Sequence, residues 1–141
     1  ELEGEAGFRQ REAQIIAQLC QRRGILLATG GGAVLPEESR RRLAATGVVI
    51  YLHASLDHLC HRTRHDSRRP LLQSGNPRDT LKSLLETRDP LYRQIADLVV
   101  ETGRQSIGKL VRQIIDDLSR LHLWPPAGGA AQSPVDSGVS A

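Results

Sequence analysis

Methionine is absent from this chain, cysteine occurs twice, and the aromatic complement is one Phe, two Tyr and one Trp. Each shortage excludes something. Without a Met, residue 1 does not read as a natural start. With Phe8, Tyr51, Tyr92 and Trp124 as the only aromatics, a core has to come from Leu, Ile, Val and Ala, and a base-stacking nucleic-acid surface lacks its platforms. Cys20 and Cys60 fall in separate helical patterns, which is neither a disulfide framework nor a short-spaced zinc motif; a reducing cytoplasm is the plain expectation. No apolar run approaches the length of a membrane span, and the opening "ELEGEAGFRQRE" is charged rather than signal-like, so no membrane association is expected. Most telling, no Gly-Lys-Ser or Gly-Lys-Thr occurs anywhere, although a strand-like run does end in consecutive glycines, "LLATGGGAVLP".

What is present fits one globular domain: 141 residues, 39% apolar and 25% charged. The net charge of +3 favours anionic ligands. Arginines cluster at Arg22-Arg23, at Arg40-Arg41-Arg42 and at Arg62, Arg64, Arg68 and Arg69. These runs permit a basic nucleic-acid-binding domain, but the scarce aromatics argue against one and no nucleic-acid partner is expected.

Periodicity organises the chain. Residues 5–22 read as a helix stopped by Gly24, and "ILLAT" (25–29) as a short buried strand. A helix over 37–45 lies between Pro36 and Gly47; "VVIYL" (48–52) is a strand; a helix over 55–64 has Ser55 as its N-cap. Residues 65–77 are polar and broken by Pro70, a loop. Helical pieces at 78–87 and 90–96 flank a break at Asp89-Pro90, "DLVVET" (97–102) is a third strand, and 106–121 is an amphipathic helix. From Pro125 the composition turns to Pro, Gly, Ala and Ser, a disordered tail. The domain is thus expected over 1–121 and the tail over 122–141.

Strands alternating with helices imply an α/β fold with a parallel sheet, whose ligands bind at the carboxyl ends of the strands. Gly30, Gly31 and Gly32 stand on that rim, where glycine permits positive φ and close approach of a ligand to the amides. Arg9 and Glu12 are spaced to pair on one helix face. Arg69, before Pro70 in a polar loop, has the placement either of a lid arginine that closes on phosphate or of a basic surface loop, and composition alone favours the latter slightly. Arg88 precedes the expected break, where a hinge with a surface charge is the plain reading. His58, His61 and His65 surround Cys60 but have no fixed fourth ligand; a solvated helix face is favoured over zinc.

Together these stretches resemble shikimate kinase: "LEGEAGFRQRE" at 2–12, "ILLATGGGAVL" at 25–35, "VVIYL" at 48–52, "RTRHDSRRPLL" at 62–72, "LLETRDPLYRQIAD" at 84–97 and "VVET" at 99–102, in that order. The resemblance implies a nucleoside-monophosphate-kinase-like P-loop fold and transfer of the ATP γ-phosphoryl group to the 3-hydroxyl of shikimate, with Mg²⁺, in the aromatic amino-acid (chorismate) pathway. It implies that Arg9 holds the shikimate carboxylate with Glu12 orienting it, that Gly30, Gly31 and Gly32 offer amides to shikimate, and that Arg88 is a second carboxylate-binding arginine. Arg69 becomes the catalytic lid arginine, also touching ATP; Arg62, Arg104 and Gln105 flank the adenine. Shikimate and ATP are the expected partners of a cytoplasmic monomer.

The family also carries an N-terminal strand, a phosphate loop ending in Gly-Lys-Ser/Thr, and an Asp-x-Asp-like segment. None is found here, so the ATP and Mg²⁺ ligands are expected in a segment before Glu1 and no metal ligand in these residues. The resemblance makes "ILLAT", "VVIYL" and "DLVVET" the third, fourth and fifth strands of a sheet ordered 2-3-1-4-5, lacking its first two. Buried backbone groups left unpaired cost about 1–3 kcal/mol each, against a total stability of about 5–15 kcal/mol. The chain is therefore expected to be a truncated piece, inactive alone. Two rivals stand beside this reading: a gluconate-type small-molecule kinase, and a non-catalytic shikimate-binding module.

Overall fold

The computed structural model describes residues 4–63 and 76–123. In chain order these form helix α1 (Gly4–Leu19), a 3₁₀ turn (Gly31–Val34), α2 (Glu37–Thr46), strand β1 (Ile50–His53), α3 (Leu56–Thr63), α4 (Pro77–Ile95), β2 (Leu98–Glu101) and α5 (Ile107–Arg120). β1 and β2 are parallel neighbours, with Ile50 opposite Leu98 and His53 opposite Glu101. The α4 connection between them makes a crossover unit of the kind parallel pairing demands.

Local chemistry accounts for most boundaries. Ser55 caps α3, its Oγ accepting from His58 N at 3.3 Å while its carbonyl takes Leu59 N. Ser106 caps α5 through Lys109 N. Asn76 caps α4 through Arg78 N, and Pro77 occupies the first turn, where a missing N–H costs nothing. α2 opens after Pro36 and closes at Gly47. α1 ends at Leu19, and Gly24, with φ of +67°, turns the chain back.

Two expectations fail. Residues 25–30 are not in a strand: a strand exists only through a hydrogen-bonded partner, and no described strand runs beside them. The run is not buried either, since Leu26 is 96% exposed. The break at Asp89-Pro90 is also absent, because α4 runs continuously through Pro90. An interior Pro costs a helix about 3 kcal/mol. The Arg93–Asp89 pair at 2.8 Å and the packing of α4 against α2, α3 and the 3₁₀ turn hold the helix together across it.

The core is small: Ile16 of α1, Ala33 and Val34 of the turn, Ala54, Leu81 of α4, and Leu98 and Val100 of β2. Leu52 stays half-exposed on β1, whose second edge has no described neighbour. α1 and α2 pack on the 3₁₀ turn, and α5 packs on β2. No described helix is long and apolar enough to cross a membrane.

Candidate active site

The glycine turn is the meeting point of the fold. Gly30 is extended (φ −69°, ψ 156°), and the 3₁₀ turn begins directly after it. Ala33 N donates to Gly30 O and Leu35 N to Gly32 O, each at 3.1 Å. Arg40, from α2, donates through Nη1 to Val34 O (2.7 Å) and Leu35 O (2.9 Å), so one guanidinium satisfies the carbonyls that the turn leaves open. Positive φ occurs at Gly4 and Gly24 but not in the triplet. Backbone freedom is therefore not what these glycines supply.

They supply room for side chains. A Cβ on Gly32 would overlap Nη1 and Cζ of Arg9. On Gly31 it would lie 2.9 Å from the Tyr92 hydroxyl and 3.3 Å from Arg88 Nη1; on Gly30 it would lie 3.3 Å from Glu12 Oε2. Arg9, Glu12, Arg88 and the three glycines, singled out from separate stretches of sequence, thus converge on one turn.

Arg9 is held in place by its neighbours on α1. Its Nη1 donates to Glu12 Oε1 at 2.8 Å, and Glu5 Oε1 lies 3.7 Å from Nη2. Arg9 and Glu12 are mostly buried, with side chains 22% and 16% exposed, so this i,i+3 pair is better shielded than a solvated surface bridge. Arg9 Nε is buried and has no hydrogen-bond partner among the described residues. An open apolar hollow lined by Phe8, Ile15, Ile16, Leu19 and Leu27 runs between α1 and residues 27–30 and ends at Gly30.

Sequence reasoning missed a second layer. Tyr92 donates its hydroxyl to Gly31 O at 2.5 Å. Its ring lies 4.7 Å from that of Tyr51 on β1, tilted by 32°. Tyr51 in turn donates to Asp89 Oδ1 at 3.0 Å, and Arg93 Nε donates to Asp89 Oδ2 at 2.8 Å. His53 Nδ1 sits 2.6 Å from Glu101 Oε2, with Nε2 3.9 Å from Asp89 Oδ1. Burial holds the Tyr92 phenol above its ordinary pKa, opposed by the adjacent Arg88 and Arg9 cations. Tyr51 is pushed up further, first by burial and then by its bond to Asp89. Burial would raise the Asp89 carboxyl, yet hydrogen bonds from Arg93 and Tyr51 and the Arg93 charge outweigh it, and its pKa is lowered. The signal for this layer was available: on one continuous helix, Arg88 and Tyr92 stand four apart and share a face.

The remaining candidates lie on other elements. Arg62 is exposed on the last turn of α3, and Arg104 and Gln105 lie in the loop after β2. Gln105 Nε2 donates to Glu101 O (3.4 Å) and Gln113 Oε1 (3.3 Å). That loop faces α3, since a Cβ on Gly103 would meet His58 Cε1 at 3.7 Å. Arg69 and His65 lie outside the described residues. Among the described residues no three His, Cys, Asp or Glu side chains are grouped to hold a metal.

Chemically, two guanidinium groups, a fixed carboxylate and a tight backbone turn suit a small carboxylated ligand bearing hydroxyls. Comparison with known proteins points the same way. The family model for shikimate kinase matches residues 1–119. A shikimate kinase of Nitrosococcus oceani is 50% identical over 132 residues, covering 94% of this chain and 67% of the relative. One from Bordetella avium is 54% identical over 118 residues, covering 84% and 56%. The solved shikimate kinase of Acinetobacter baumannii in complex with shikimate superposes with a TM-score of 0.81 at 39% identity, over 86% of this chain and 68% of that one. The chain spans about two thirds or less of the length of these curated relatives. Its architecture is accordingly a partial P-loop kinase α/β fold, and the chain belongs to the shikimate kinase family.

Proposed function

We propose that the chain carries the acceptor-holding side of a shikimate kinase, in which the γ-phosphoryl group of ATP passes to the 3-hydroxyl of shikimate. The observation that carries this reading is the convergence of Arg9, Glu12 and Arg88 on the glycine turn. The Acinetobacter baumannii relative was solved in complex with shikimate, and we assign the same ligand here. Arg9, fixed by Glu12, grips the carboxylate; Arg88 approaches it from α4; Gly30, Gly31 and Gly32 present their backbone to the ring hydroxyls. Holding the acceptor by both ends of its charge pattern aligns its hydroxyl for in-line attack.

Arg69 is assigned as the lid arginine that offsets charge on the transferred phosphoryl group, and Arg62, Arg104 and Gln105 as the adenine-flanking group. The closeness of the loop after β2 to α3 supports the latter. ATP of this kind arrives with Mg²⁺, but the described residues offer no ligand set for the ion, and none of the roles above depends on it. We assign the kinase portion to residues 1–121, in keeping with the end of α5 at Arg120, and leave 122–141 outside it. The enzyme is taken to act as a cytoplasmic monomer of the aromatic amino-acid pathway.

A coupled ATP assay on the full-length protein, comparing shikimate with gluconate, tests the reading. Shikimate-dependent turnover without gluconate turnover is expected; the reverse preference, or none, would overturn it. Within that assay Arg69→Ala should lower kcat by about 10²–10³-fold with little change in shikimate KM. Arg9→Ala should raise shikimate KM by at least about tenfold. Equal effects of both substitutions on both constants would contradict the separate roles.

A further inference from the structure

We propose that Tyr92 is a positioning residue for the acceptor site: its hydroxyl fixes the Gly31–Gly32 peptide, and its ring ties that peptide to the sheet. The inference rests on the shikimate reading for its ligand, but its geometry stands independently. Gly31 O accepts from the Tyr92 hydroxyl at 2.5 Å across 61 positions of sequence. The same hydroxyl would lie 2.9 Å from any Cβ at Gly31, so the contact as it stands leaves no room for a side chain there. A hydrogen bond to a peptide carbonyl polarises the whole amide and strengthens the N–H on its far side. Here that N–H belongs to Gly32, over which Arg9 packs.

The tyrosine is itself held from two directions. Its ring packs against Tyr51 on β1, and Tyr51 is anchored through its own hydroxyl to Asp89, one turn before Arg93 on α4. Arg88 is placed by the same helix that places Tyr92. The chain of contacts Gly31–Tyr92–Tyr51–Asp89 therefore sets the glycine turn, the second arginine and β1 in one register. No atom of Tyr92 need touch shikimate for it to matter. It acts by aiming the Gly32 amide and by keeping the turn at a fixed distance from Arg88.

The test is Tyr92→Phe in the full-length protein, which keeps the ring and removes the donor. Shikimate KM and the calorimetric shikimate Kd should each rise about five- to tenfold, the loss of one hydrogen bond, with ATP KM and kcat changed less than about twofold. In ¹H–¹⁵N spectra the Gly32 amide should shift upfield without ligand present, the signature of a carbonyl that has lost its donor. Tyr51→Phe, which keeps the stacking but releases Asp89, should give a smaller change in the same direction. An unchanged Gly32 amide in Tyr92→Phe would overturn the proposal whether or not the protein binds shikimate. So would a fall in melting temperature with shikimate Kd unmoved, which would make Tyr92 purely structural. Failure of the unsubstituted protein to bind shikimate would instead refute the ligand assignment, while the amide shift still decides the role of Tyr92.

Discussion

Arg9 and Gly32 illustrate how one side chain dictates another. The guanidinium occupies the volume where a Cβ on residue 32 would stand, and it cannot withdraw without breaking its bond to Glu12. Gly32→Ala should therefore displace Arg9 rather than simply crowd the backbone. The expected result is a shikimate KM raised by at least about tenfold, comparable to Arg9→Ala, since either change removes a charge-assisted contact. Gly47→Ala, where a Cβ meets nothing within 4 Å, is the control and should leave KM unchanged. Steady-state kinetics of the two variants would check this. Sequence pattern alone suggests positive φ as a reason for the triplet, yet no φ in it is positive; the crowding comes from α1 and α4, which the sequence places far away.

At the scale of elements, α4 joins the site to the sheet through Asp89, which receives Tyr51 from β1 and Arg93 from its own helix. The Asp89 pKa is lowered in the folded chain. A depressed carboxyl contributes stability that is fully present above its unfolded value, about 3.9, and is lost as pH falls through the folded value. Melting temperature should accordingly drop below about pH 4, and the Asp89→Asn variant should show a shallower drop over the same range. Parallel acid profiles for the two proteins would contradict this. Helices were the legible part of the chain. The helix expected over 37–45 is observed as Glu37–Thr46, and Ser55 caps α3 as expected. Two things were not legible, for different reasons. A strand needs a partner that local pattern cannot supply, so 25–29 reads as a strand yet pairs with nothing described. Pro90 reads as a break, whereas packing and the Arg93–Asp89 pair carry α4 through it. Splitting α4 also hid Tyr92, because the face it shares with Arg88 exists only on an unbroken helix.

For the whole molecule, the described residues bury few apolar side chains and leave others in water, Leu26 at 96% and Ile107 at 81% exposure. Two paired strands and this core are marginal support for independent stability. The 141-residue chain should melt over a broad range and turn over no ATP by itself; a sharp melt with turnover would show the opposite. The family likeness extends over residues 1–119, a span that contains every residue proposed to grip the acceptor. The most direct test of that claim is calorimetric titration of shikimate into the full-length protein and its Arg9→Ala and Arg88→Ala variants. Each substitution should weaken binding by about 10- to 100-fold, the range for a charged hydrogen bond. Binding by both variants as tight as the unsubstituted protein's would contradict the assignment of the glycine turn as the shikimate site.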